Sequence, residues 1–261
     1  MGDNCSTVVP RFQVAWRLNR APSRFMTMVA LGLISISVGA CMRTAVEMDP
    51  LELAQLKESP RIGAVHYEAP WLKVHTFTGA LFGQLMGPIG GTLHESGSAH
   101  DLGGQIVRES GLEDPTRELK SHFITSVTTE LGLMSIENIP KPVSQEDYLI
   151  LLRQKFRDGV VFAFGSTKVE LLYYPLTPTR YSLIYKGEGV LWNFKGNDDL
   201  WRSSCHVVNE DVSPRPTLEE LTANQGQLLK RMVSDATREC ASQLVAHFLG
   251  SGKASKSSAA P

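Results

Sequence analysis

From Val160 to Val208 the chain is rich in β-branched and aromatic residues, and this block fixes the fold class more firmly than any other stretch. Val160–Phe164 and Lys168–Tyr174 read as two strands, and Tyr181–Trp192 as a longer one. The last is expected to form an antiparallel hairpin with Leu200–Val208 across the turn-rich Lys195–Asp199. Directly after Pro216, Thr217-Leu-Glu-Glu220 has the form of a capping box. It opens a long helix with apolar positions Leu221, Leu228, Met232, Ala236, Cys240, Leu244 and Phe248, split near Gly226 and ended by Gly250.

Upstream, Leu51–Lys57 has some helical bias, and Arg61–Tyr67 is the first strand candidate. Residues 95–113 read as a polar loop. Asp114 as N-cap with Pro115 behind it starts a helix whose Leu119, Phe123, Ile124, Val127 and Leu131 fall at helical spacing before Gly132. A short strand over Leu133–Ile139 and a helix over Gln145–Arg157 come next, the helix opened by Ser144 and Asp147. The order predicts an α+β domain: a mixed or antiparallel sheet of about five or six strands, helices packed on one face, and a long C-terminal helix.

The amino-terminal part has a different character. Phe25 to Ala40 is an apolar run flanked by Arg24 and Arg43, and Arg11, Arg17 and Arg20 precede it with no acid between Asp3 and Glu47. A basic segment, a short apolar segment and small residues describe a secretory signal. The run is short for a membrane-spanning helix, which needs about 20 residues. Val38-Gly39-Ala40 is followed at once by Cys41. That tetrad resembles the lipobox of bacterial lipoproteins, which implies that Cys41 becomes the lipidated first residue of the mature chain. The competing readings are an uncleaved inner-membrane anchor and a coincidental core segment. The expected organisation is a signal peptide over 1–40, a lipidated tether over 41–60, one domain over 61–250 and a disordered tail over 251–261. Met42, rather than Asp, after the cysteine favours the outer membrane under the enteric sorting convention.

The chain has four cysteines. With Cys5 lost in the signal and Cys41 lipidated, Cys205 and Cys240 remain, an even count in a compartment that permits disulfides. A bridge between them would close a loop worth about 3 kcal/mol; the alternative is two buried thiols.

From Val74 to His94 there is no Asp, Glu, Lys or Arg, and within this stretch Gly79, Gly83, Gly87 and Gly91 recur at every fourth position. Small residues at that spacing let a second helix approach closely, but Pro88 interrupts a continuous helix. The segment reads either as a mobile loop over the core, within an apolar glycine-rich stretch at 76–104, or as a contact surface. In the second case Gly79, Phe82, Gly83, Leu85, Met86, Gly87, Ile89 and Gly91 would meet lipid, a partner or a second copy.

The glycine-rich stretch, Gly-Leu-Glu-Asp-Pro at 111–115, Gly-Val-Leu-Trp at 189–192, Trp-Arg-Ser-Ser-Cys at 201–205 and the long last helix resemble uncharacterised bacterial lipoproteins. More distantly they are similar to the periplasmic α/β modules of curli-secretion-channel lipoproteins. The resemblance implies an envelope location and a binding role, with no catalytic residues and no cofactor. The sequence offers no amphipathic strand pair of the length a membrane barrel needs, so the pore activity of that distant family is not carried over.

Motifs of chemistry are missing. Gly165-Ser166-Thr167 lacks the second glycine of a nucleophile elbow, and Gly187-Glu-Gly189 lacks the third glycine of a dinucleotide fingerprint. His94, His100 and Asp101 lack zinc spacing, and His66 and His206 on strands read as structural or exposed. A net charge of −1 without a basic cluster in the mature part argues against nucleic acid as partner. The expectation is a non-enzymatic, lipid-anchored component of an envelope assembly or transport complex. The alternatives are an envelope hydrolase with a site dispersed in sequence, and a homo-oligomer built through the glycine-spaced segment.

Overall fold

Gly165 and Ser166 do not break the first strand of the β-rich block: Val160–Tyr174 is one strand, β4, bulged between Ser166 and Lys168. The structure, a computed structural model, describes residues 45–250 apart from 47, 60, 71, 78–100, 134, 144–147, 175 and 210–213. The chain divides into two compact units, Met1–Met42 and Arg43–Pro261, of which the first lies wholly outside the described residues.

The other strands are β1 (Ile62–His66), β2 (Lys73–His75), β3 (Glu137–Asn138), β5 (Thr177–Asn193) and β6 (Asp198–Val208). Sheet order is β3-β1-β4-β5-β6, with β2 also paired to β4. β4, β5 and β6 form the expected antiparallel meander, Val161 opposite Trp192 and Leu191 opposite Trp201. On its other edge β4 carries two short parallel strands in succession: β1 along Val160–Phe164 and β2 along Glu170–Leu172. β3 is parallel to β1. β2 has no counterpart in the sequence pattern, and among the described residues of the expected Leu133–Ile139 strand Glu137–Asn138 form the strand, with the Ile139 amide bonded to Ala64.

The helices are α1 (Pro50–Glu58), α2 (residues 101–110), α3 (Pro115–Leu131), α4 (Tyr148–Lys155) and α5 (Leu218–Phe248). The ends of α1, α3 and α5 carry capping residues, while the expected opening of α4 at Ser144 and Asp147 lies outside the described residues. Asp49 and Asp114 cap α1 and α3, each with proline in the first turn, and Gly132 ends α3 at a φ of 67°. Thr217 and Glu220 close a full capping box on α5. Residues Ala223–Gly226 leave helical geometry and break α5 at the expected glycine; below the break Leu229, rather than Leu228, is fully buried.

α2 corrects the reading of 95–113 as a loop. Gly103-Gly104 look like loop residues, yet Leu102 and Ile106 form a helical stripe against the core. Gly103 is needed for close approach: a Cβ there would stand 1.6 Å from the Leu72 carbonyl oxygen.

The sheet buries two faces unequally, because successive side chains along a strand alternate. The larger core gathers Phe162, Phe164 and Trp201 from the sheet with Phe123 of α3 and Phe248 of α5. Their ring centroids lie 5.0–5.7 Å apart around Phe123, an arrangement that adds about 0.5–1.5 kcal/mol per pair beyond burial. On the opposite face Leu152 and Phe156 of α4 cover Val65, Val161 and Ala163. The α+β class, the six-stranded mixed sheet and the long last helix match the sequence pattern.

Pairing begins ahead of Arg61. Val46 exchanges two backbone hydrogen bonds with Arg202, of 2.9 and 3.0 Å, and Leu56 of α1 is fully buried. Cys205 on β6 and Cys240 on α5 have Cα atoms 5.3 Å apart and sulfurs at disulfide distance, over a sequence separation of 35.

This packing makes two predictions. In protein folded under oxidising conditions the Cys205 and Cys240 peptides stay joined in a non-reduced digest, and reduction lowers unfolding free energy by about 3–4 kcal/mol. Gly103→Ala destabilises the fold by about 3 kcal/mol in denaturant titrations, because the backbone of Leu72 has to give way.

Candidate functional site

β1 and β3 are parallel neighbours, so His66 and Asn138 finish at the same end of the sheet, and the first turns of α3 lie over them. The chain leaves β1 through Glu68-Ala69-Pro70 and β3 through Pro140 and Pro142. A cleft of about 350 Å³ opens between these exits, the start of α3, and Val169 of β4. In open sheets, ligand crevices lie beyond the carboxyl ends of parallel strands.

Behind this cleft is a buried basic pair. Lys120 is 1% exposed and His66 likewise 1%. The Lys120 ammonium donates to His66 Nδ1 at 3.1 Å and to the Ile139 carbonyl at 2.7 Å. An ammonium only donates, so Nδ1 accepts and the imidazole proton is assigned to Nε2. Nε2 lies 3.7 Å from Asp114 Oδ2, and Asp114 Oδ1 accepts from the Thr116 backbone N–H at 2.8 Å. Burial, reinforced by Lys120, lowers the His66 pKa from 6.5 to about 4, while burial and Arg117 lower Lys120 from 10.5 to about 8. At neutral pH the imidazole is neutral and the ammonium charged.

A second buried chain ties α3 to the bulge in β4. Thr116 Oγ1 donates to Ser166 Oγ at 2.7 Å, and Ser166 exchanges a hydrogen bond of 2.7 Å with the Tyr185 hydroxyl. Burial pushes the Tyr185 phenol up, so it stays protonated. Ser166 therefore contacts two hydroxyls that are not bases at neutral pH, and the network holds the cleft's geometry without activating a nucleophile. A second cleft of about 660 Å³ shares Leu112, Glu113, Arg117 and Pro140 with the first and extends to Glu118, Lys120 and Lys230 of α5.

The residues singled out in sequence are placed unevenly. Cys205 and Cys240 come together. Cys41 lies outside the described residues, as do Gly79, Phe82, Gly83, Leu85, Met86, Gly87, Ile89 and Gly91. Among the described residues no group of three His, Cys, Asp or Glu side chains could hold a metal ion, and no helix is long and apolar enough to cross a membrane. Lys120 is the residue of this site that sequence reasoning passes over. Its signal is its phase: Thr116, Lys120, Phe123 and Val127 share the buried stripe of α3.

No family model matches the sequence, and no curated protein matches it. Among solved structures the chain is similar to a PelC dodecamer from Paraburkholderia phytofirmans (8% identity, 73% of this chain and 93% of that one, TM-score 0.30). It is also similar to lipoprotein GNA1162 from Neisseria meningitidis (14% identity, 67% and 97%, TM-score 0.23). Protein XCC0632 from Xanthomonas campestris gives 11% identity, 78% and 88% coverage, and a TM-score of 0.32. Likeness at these scores assigns no role, and the fold rests on the chain's own strand register.

The buried pair predicts a pH profile with two slopes. The unfolded chain protonates His66 near 6.5 and the folded one only near 4, so stability rises with pH across that window and is lost as the pH drops through it. The unfolded chain keeps the Lys120 proton to about 10.5 and the folded one to about 8, so stability rises with pH between them. Each effect reaches about 3 kcal/mol at most. In Lys120→Met the alkaline rise disappears and the His66 pKa, read by NMR, moves upward. A His66 that titrates near 6.5 in the folded wild type would contradict the burial argument.

Proposed function

We propose that this chain is a lipid-anchored protein of the bacterial cell envelope that serves as a non-catalytic component of an assembly or transport complex. The observation that carries this reading is the apolar run Phe25–Ala40 delivering small residues directly onto Cys41, behind a purely basic flank. Acylation at Cys41 with two or three chains holds a protein on a bilayer far longer than one chain does. The anchor faces the periplasm, with Met42 favouring the outer membrane.

Two features of the folded part support the compartment and the short leash. Cys205 and Cys240 are placed as a pair that an oxidising compartment would join. Val46, already hydrogen-bonded to Arg202, stands five positions after Cys41, a span of at most about 18 Å of chain. The glycine-spaced segment from Gly79 to Gly91 supplies the contact with an envelope partner or with a second copy of the chain.

Feeding cells an alkyne-bearing fatty acid tests the reading. Label should enter the wild-type protein, the amino-terminal peptide should begin at an acylated Cys41, and Cys41→Ser should lose both label and membrane fractionation. An unmodified amino terminus in membrane-extracted protein, or label that survives in Cys41→Ser, would overturn the assignment. Crosslinking in intact envelopes, with and without residues 76–93, then reads the partner surface: an unchanged set of crosslinked species removes the role given to that segment.

A further inference from the structure

The cleft at the ends of β1 and β3 has a composition that selects its ligand. Pro70, Pro115, Pro140 and Pro142 line it with Leu72 and Val169, giving rigid apolar walls that are formed in advance. Its volume, about 350 Å³, is at the low end of the roughly 300–1,000 Å³ of ligand cavities, which suits a slender molecule.

The charges of the residues that line it do not cancel. Arg117 is paired with Glu113. Asp114 is balanced by Lys120, whose charged form its field favours, and it already supplies the negative charge that the start of α3 prefers. His66 is neutral. Glu68 remains: it is exposed, lines the cleft, and has no ion pair among the described residues. An anion entering here would meet Glu68, Glu113 and Asp114 at a helix terminus whose cap is already filled. A cation would meet one unbalanced carboxylate beside a neutral imidazole.

We propose that this cleft binds a primary ammonium group carried on an unbranched apolar stem, the stem lying along the prolines and the ammonium at Glu68. The chemistry is that of a small alkylamine or of a lysine side chain of a polypeptide, since a lysine buries its stem and keeps its charged head at a polar rim. The site is independent of acylation at Cys41, so it holds for the full chain in detergent whatever the state of its amino terminus.

The test uses the detergent-solubilised full chain with hexylammonium, hexanoate and hexanol as probes of one stem and three heads. Hexylammonium should raise the thermal midpoint saturably and shift the His66 ring signals, with hexanol weaker and hexanoate silent at the same concentration. Glu68→Gln, a substitution of an exposed side chain, should keep the fold and weaken hexylammonium binding about fivefold. A leucine-flanked lysine peptide and its Nε-acetylated form separate the sources. Tighter binding of the free-lysine peptide than of hexylammonium identifies a polypeptide, and the reverse identifies a small amine. Equal or tighter binding of hexanoate, unchanged affinity in Glu68→Gln, or no response to any probe at millimolar concentration would overturn the proposal.

Discussion

β4 is the constraint on which the rest of the molecule depends. Its fifteen residues are long enough to pair with β5 throughout on one edge and with two parallel strands in turn on the other. β1 and β2 follow one another along that edge in nearly the same register, and among the described residues the chain between them departs from the ladder after Tyr67 and rejoins it at Lys73. The departure creates the space, and the bulge at Ser166–Lys168 falls opposite it. The cleft is therefore a consequence of strand order rather than a loop added to a finished fold.

What keeps that corner in one arrangement is polar. Lys120 reaches from α3 to both parallel strands at once, through His66 of β1 and the carbonyl just after β3. A buried ammonium is costly unless its donors are used, and here two of three are. An apolar residue of the same length would pack as well but would not select among the ways a helix can lie across two short strands. The Thr116–Ser166–Tyr185 chain repeats the device one turn earlier on α3. Both networks come from the side of α3 that also supplies Leu119 and Phe123 to the aromatic core, so helix placement and cleft geometry are fixed by the same face.

Sequence patterns locate what is local and lose what is not. The caps at Asp114 and Thr217, the stop at Gly132 and the break at Gly226 are written in residues within one turn of the event they cause. Cys205 and Cys240 are legible because each lies on the inward stripe of its own element. By contrast β2 is three residues long and exists only because β4 offers an edge, so no run of its own betrays it. Gly165-Ser166 reads as a division of β4 because a bulge and a turn share the same residues. α2 is hidden by Gly103, whose role is to admit the Leu72 backbone. Lys120 is silent by residue type, since a lysine is ordinarily solvated, and only its helical phase points inward.

The parallel corner is thus where the fold, the buried ion and the cleft meet, and it can be examined without any ligand or partner. Its cross-strand bonds are the amides of Tyr67 to Phe164, Ile139 to Ala64 and Val143 to His66, at 2.9, 2.9 and 3.0 Å. Residue-resolved amide hydrogen exchange on the intact protein measures them directly. Protection of these three amides comparable to that of the β4–β5 ladder is the predicted result. Exchange at the rate of an unstructured chain, with the ladder still protected, would show that the corner does not form and would contradict the account built on it.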